Sequence, residues 1–247
     1  MPRYFLDIAY NGTAYHGWQI QGNAHTVQAE LQKCLSTVLR SKIDIMGSGR
    51  TDTGVHATHQ IAHFDVESMD DQLVYKLNSF LPKDISIQGI REVNAEAHTR
   101  FDATERSYQY FINQAKSPFL ENLSYYYPKL LDLDLMNEAA KKLLGEQNFE
   151  SFSKVKTEVN TFICTIKEAR WEKQNDSIVF HVTANRFLRG MVRALVGTLL
   201  DVGQKKLTVA DFVKIIESRD RKQAGRSVPA HGLYLTKVVY PDSVYID

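Results

Sequence analysis

IDIMGSGRTDTGVHATHQIAHFDV, residues Ile43 to Val66, reads as a short strand, a glycine-rich loop and a longer strand. IDIMGSG carries apolar residues into the loop, and Ala57 to Val66 leaves it with the two-residue alternation of a half-buried strand. Upstream, RYFLDIAY alternates Tyr4, Leu6 and Ile8 and reads as another strand. HTVQAELQKCLSTVLR then places Val27, Leu31, Cys34, Leu35 and Val38 at helical spacing behind Thr26, a natural N-cap. Downstream, DDQLVYKLNSFL is a helix stopped by Pro82, and DISIQGIREV is a strand. The order is β-α-β-β-α-β, the split βαβ arrangement.

A second pass starts near Glu105. ERSYQYFIN is a strand with Tyr108 and Tyr110 on one face, and DLDLMNEAAKKLLGE is a helix ending near Gly145. TFICTIKEARWEK and SIVFHVTA are strands joined by the turn Gln174-Asn175-Asp176. ANRFLRGMVRALVGTLLDVG reads as one long helix, LTVADFVKIIESR as another, and HGLYLTKVVY as the last strand. Element order alone therefore predicts an α/β (α+β) protein of two ferredoxin-like halves, residues 1–104 and 105–247, whose antiparallel sheets join side by side.

With 247 residues, 43% hydrophobic and 24% charged, the composition is that of a globular protein. No apolar run approaches the roughly 18 residues of a membrane span. The N-terminus lacks the apolar stretch and small-residue site of a signal peptide, so a cytoplasmic protein is expected. Cys34 and Cys164 lie far apart in apolar periodic stretches and read as buried thiols. A net charge of +1 neither favours nor opposes a nucleic-acid partner. Cations do cluster locally, in RDRKQAGR from Arg219 to Arg226 and at Lys205 and Lys206; such a stretch is either a solvated loop or part of a basic face.

The loop carries more chemistry than a turn requires. Gly47, Gly49 and Gly54 let a backbone approach a bound group closely, and would present Arg50, Thr51 and Asp52 at the mouth of a cleft. The plainer alternative is a hairpin in which Asp52 caps the turn and Arg50 pairs with it. On the long helix, Leu188, Val192, Leu195 and Leu199 form one stripe, and Arg186, Arg189 and Arg193 fall on the far side. Arg193, amid Met191, Val192 and Val196, calls for a carboxylate from another element, and Asp52 is the obvious candidate. His59 and His63 share a strand face, but His56 belongs to the turn and no further ligand completes a metal set.

These residues name a family. GRTDTGVHA, followed by QIAHF, resembles the signature of the A-type tRNA pseudouridine synthases. YNGTAYHGWQIQ, HTVQAEL, LNSFLPKDISI, AHTRFDATERSYQY, NFESFS, NRFLRGMVRALVGTLL and HGLYL resemble its other blocks, in order and at similar spacing over nearly the whole chain. Thr53, where the family usually has alanine, and Val228 before Pro229, where a small residue is commoner, depart from the pattern without removing a reactive group.

The resemblance implies the pseudouridine synthase fold, with a cleft across a central antiparallel sheet, and a homodimer. It implies isomerisation of uridine in the anticodon stem-loop of tRNA, at about positions 38 to 40. It assigns the catalytic carboxylate to Asp52, the active-site tyrosine to Tyr108 and its basic partner to Arg193. Arg50 and Leu233 match substrate-binding positions. Arg186, Arg189 and the Arg219–Arg226 stretch are expected to meet the RNA backbone. Isomerisation is redox-neutral, so no cofactor and no metal is expected. Two rival readings stay open: an RNA-binding protein of the same fold without catalysis, and an N-glycoside hydrolase, which would want a second carboxylate.

Overall fold

A computed structural model of the protein describes residues 1–155, 159–174 and 176–246. In chain order the regular elements are β1 (Arg3–Tyr10), α1 (Val27–Val38), β2 (Met46–Gly47), β3 (His56–Asp65), α2 (Leu73–Phe80), β4 (Ile85–Val93), β5 (Glu105–Asn113), β6 (Tyr125–Tyr126), α3 (Leu133–Lys141), β7 (Gly145–Asn148), β8 (Ile163–Gln174), β9 (Ser177–Ala184), α4 (Met191–Gly203), α5 (Val209–Ser218) and β10 (Leu233–Val239). Asn175, the middle of the turn read between β8 and β9, lies outside the described residues. The chain divides into two compact units, Met1–Glu105 with Tyr234–Asp247, and Arg106–Leu233.

In the first unit the strands run in the order β4-β1-β3-β10, with β2 beside β3. β1 pairs antiparallel with β3 and β4, so Leu6 faces Ala62 on one side and Ile90 on the other. Helix α1 begins as its sequence dictates: the Thr26 hydroxyl accepts the Ala29 amide at 3.4 Å, and Val27, Leu31, Cys34 and Leu35 turn inward. Element order placed the final strand in the C-terminal half; in the structure it belongs with the first unit. The reason is a parallel pairing of β10 with β3, Tyr234 against His56 and Leu235 against Ala57. His56, read as a turn residue, is the first residue of that strand.

The second unit has the strand order β5-β9-β8-β7, all antiparallel, with β6 parallel to the end of β5. Helix α3 locks onto the sheet through Asn137, whose amide brackets the backbone of Trp171 by accepting its N–H at 2.7 Å and donating to its carbonyl at 3.1 Å. Helix α5 opens on a capping box between Thr208 and Asp211. Helix α4 is the core of this unit: every residue from Met191 to Gly203 is buried except Arg193 and Asp201. Each unit is a mixed α/β layer structure, as the element order predicted.

The reading of α4 needs one correction. The helix starts at Met191, not near Ala184, because Gly190 sits in the left-handed region at φ 72 and breaks the run. Arg186, Leu188 and Arg189 therefore lie in the irregular segment that joins β9 to α4 and do not share a helix face with Arg193.

Candidate active site

The loop between β2 and β3 has almost no regular structure, yet its backbone is bonded along its length. The Ser48 amide donates to Ile61 O at 2.8 Å, and the fully buried amide of Gln60 donates to Gly49 O at 3.1 Å. The Trp18 amide donates to Thr51 O, the Val55 amide to Asp52 O, and the Gly54 amide to Tyr15 O. Arg50 is exposed and Asp52 is half-buried. A carboxylate is thus carried on a loop whose backbone is tied at Ser48, Gly49, Thr51, Asp52 and Gly54.

The glycines serve different ends than the sequence suggested. A side-chain carbon at Gly47 would lie 2.4 Å from Trp18 Nε1, so this glycine makes room for the indole rather than for a ligand. Gly54 occupies the left-handed region at φ 78. Gly49 has open space where a side chain would be.

The histidines of β3 are structural. His56 Nδ1 accepts the Gly12 amide at 3.1 Å, and the His56 ring stacks on Tyr234 at 4.5 Å. His59 Nδ1 accepts the Val238 amide at 3.0 Å. His63 Nδ1 accepts the Thr99 amide at 3.3 Å, and burial pulls its pKa down to about 4. Burial pushes the Tyr234 hydroxyl up to about 12.

The other predicted residues lie in the second unit. Tyr108, on β5, is half-buried, and its ring meets Phe187 edge-on at 5.2 Å. Phe187 falls between Arg186 and Arg189, so the structure brings Tyr108 to the segment that carries those two cations. Two residues along, the buried Tyr110 donates its hydroxyl to Pro229 O at 2.9 Å. Arg193 makes a double link to Val228: its Nε donates to Val228 O at 2.7 Å, and its carbonyl accepts the Val228 amide at 3.1 Å. Burial first, and then the Arg193 charge, hold the His231 imidazole below its ordinary range. Leu233 is buried at the start of β10.

The segment from Arg219 to Pro229 is seated directly on α4. The Gly225 amide donates to Thr198 Oγ1 at 2.9 Å, and a side-chain carbon at Gly197 would come within 1.8 Å of Arg226 O. Arg221 ties this segment together, donating to Ala224 O and Gly225 O, whereas Lys222 and Arg226 are exposed. Sequence reasoning missed Phe187, the Val228 backbone, Gln60 and the residues that grip Thr51. An aromatic between two arginines was the one readable signal among them.

Comparison with known proteins places the chain in a family. A family described as tRNA pseudouridine synthase matches residues 8–102 and 139–241. The tRNA pseudouridine synthase A of Bacteroides thetaiotaomicron is 50% identical over 250 residues, covering 99% of this chain and 93% of that one. Those of Parabacteroides distasonis and Porphyromonas gingivalis are each 48% identical, the first covering 99% of this chain and 98% of its own, the second 100% of both. The chain belongs to the tRNA pseudouridine synthase family.

Proposed function

We propose that this protein isomerises uridine to pseudouridine in the anticodon stem-loop of tRNA, at about positions 38 to 40, with Asp52 as its essential carboxylate. The observation that carries the proposal is a half-exposed Asp52 on a loop whose backbone is bonded to its neighbours. Net isomerisation breaks the C1′–N1 bond and forms C1′–C5. The C5 proton leaves and N1 gains one, so nothing is oxidised. An ionised carboxylate can hold the substrate while the base is detached. Arg193 supplies the counter-charge that keeps Asp52 ionised, and Tyr108 stacks on the base and takes or relays the C5 proton. The target uridine must leave its stack to react, and Arg50 grips the RNA from which it is flipped. Leu233 lies against the base, and Arg186 and Arg189 meet phosphates. An RNA arm larger than one chain's site favours a homodimer in the cytoplasm.

Asp52→Asn keeps the side chain's shape and removes its charge. Pseudouridine formation is expected to fall by about three orders of magnitude or more, with tRNA binding and Tm retained. Free uracil, measured in the same reaction, separates isomerase from hydrolase, and turnover by the Asn variant near the wild-type rate sinks the assignment.

A further inference from the structure

The segment Tyr10 to Trp18 carries none of the reacting groups, yet it wraps the Asp52 loop. The Tyr10 hydroxyl shares a hydrogen bond with Thr51 Oγ1 at 2.8 Å, and the Trp18 amide reaches Thr51 O at 3.3 Å. Tyr15 O receives the Gly54 amide, and the Tyr15 hydroxyl is anchored to Asp84 at 2.6 Å. Tyr10, Tyr15 and Trp18 are each 4% exposed or less. The approach is too close for a side chain: at Gly17, with φ 87, the first carbon would lie 2.3 Å from Thr51 O. Thr51 is consequently engaged through both its hydroxyl and its carbonyl, while Asp52 O is held by the Val55 amide. The peptide before Asp52 and the peptide after it are both fixed, leaving the carboxylate little freedom beyond its own side-chain rotations.

We propose that Tyr10 is a positioning residue for the reaction: its buried hydroxyl bolts Thr51 and thereby sets the aim of Asp52 on one side and Arg50 on the other. The inference rests on the function proposed above. Reactions that depend on placement are steep, and a misplacement of about 1 Å can cost on the order of 10²-fold. A hydroxyl that only stabilised the fold would not distinguish binding from chemistry.

The test combines single-turnover rates, tRNA affinity and hydrogen exchange at loop amides. Tyr10→Phe, which loses one oxygen, is expected to slow single turnover about 10- to 100-fold, leave Kd for tRNA unchanged and speed exchange across residues 49–55. Thr51→Val is expected to match it, and the double variant to fall no further, since both remove the same bond. Thr51→Ser, which keeps the hydroxyl, is expected to retain the rate. Unchanged exchange and rate in Tyr10→Phe overturn the proposal, as does a rate loss matched by weaker tRNA binding. Faster loop exchange in Tyr10→Phe, in a protein whose wild type makes no pseudouridine, would preserve the bolt and remove the activity.

Discussion

The loop around Asp52 and the helix around Arg193 solve one problem in opposite ways. Each must present a charged side chain from a fixed backbone. Helix α4 satisfies its peptide groups internally and buries its surface on nearly every side, so Arg193 is placed by regular geometry and by its bonds to the Val228 backbone. The loop has no internal ladder. Its backbone is tied instead to Gln60, Tyr15, Trp18 and Ile61, residues of other segments. A helix carries its placement in its own sequence, whereas a loop borrows placement from wherever the fold brings partners.

The sharpest way to break the helix side is Gly197→Ala. The added methyl meets Arg226 O, a backbone atom, at 1.8 Å, so the seated segment has to move and Val228 with it. We expect a loss of about 3 kcal/mol, read as a lowered denaturant midpoint, together with loss of pseudouridine formation. Arg193→Lys is milder. It keeps the charge but removes the Nε donor to Val228 O, at a cost of about 1–2 kcal/mol. Turnover should drop more than affinity; a variant with wild-type turnover would mean that charge alone suffices there.

On the loop side, pH is the probe. His63 is held neutral by burial, with a pKa of about 4 against an ordinary 6.5. The folded state therefore binds fewer protons than the unfolded chain between those values. Its contribution to stability is present above pH 6.5 and is lost as pH falls toward 4. Tm measured from pH 7.5 to 5 should fall more steeply in the wild type than in His63→Gln; parallel curves would show that His63 is not the titrating group. The smallest effect is expected at Lys222, exposed on the segment over α4. Lys222→Ala should reduce the salt slope of tRNA binding by about 1, with kcat unchanged. Arg221 is not its equivalent, because it holds Ala224 O and Gly225 O; Arg221→Ala should lower Tm as well.

How much could be read beforehand follows the same division. β5 was bounded at both ends by its alternation, and Thr26 announced the start of α1. Arg186 and Arg189 were misplaced because RFLRGMVR keeps a helical spacing of apolar residues through a glycine that in fact interrupts it. β6 and β7 are two and four residues long, too short for any period to register. Asp52 stood out as a carboxylate in a glycine loop, but Gly47 was credited to a ligand when it serves Trp18. No local pattern could announce that Tyr10 bonds Thr51, or that β10 lies beside β3, because those partners are distant in sequence.

The pairing of β10 with β3 also sets a timetable. During synthesis, residues 1–105 emerge first and already contain Asp52 and every strand of their unit but one. That last strand follows only after the entire Arg106–Leu233 unit has been made. Until it arrives, His56 lacks its stacking partner Tyr234, His59 lacks the Val238 amide, and Thr99 O lacks the Tyr240 hydroxyl. The edge of β3 stays open for the same interval, an edge that a nascent chain must keep from foreign strands. A chain cut short before Tyr234 therefore carries Asp52 in a sheet that lacks the strand beside β3.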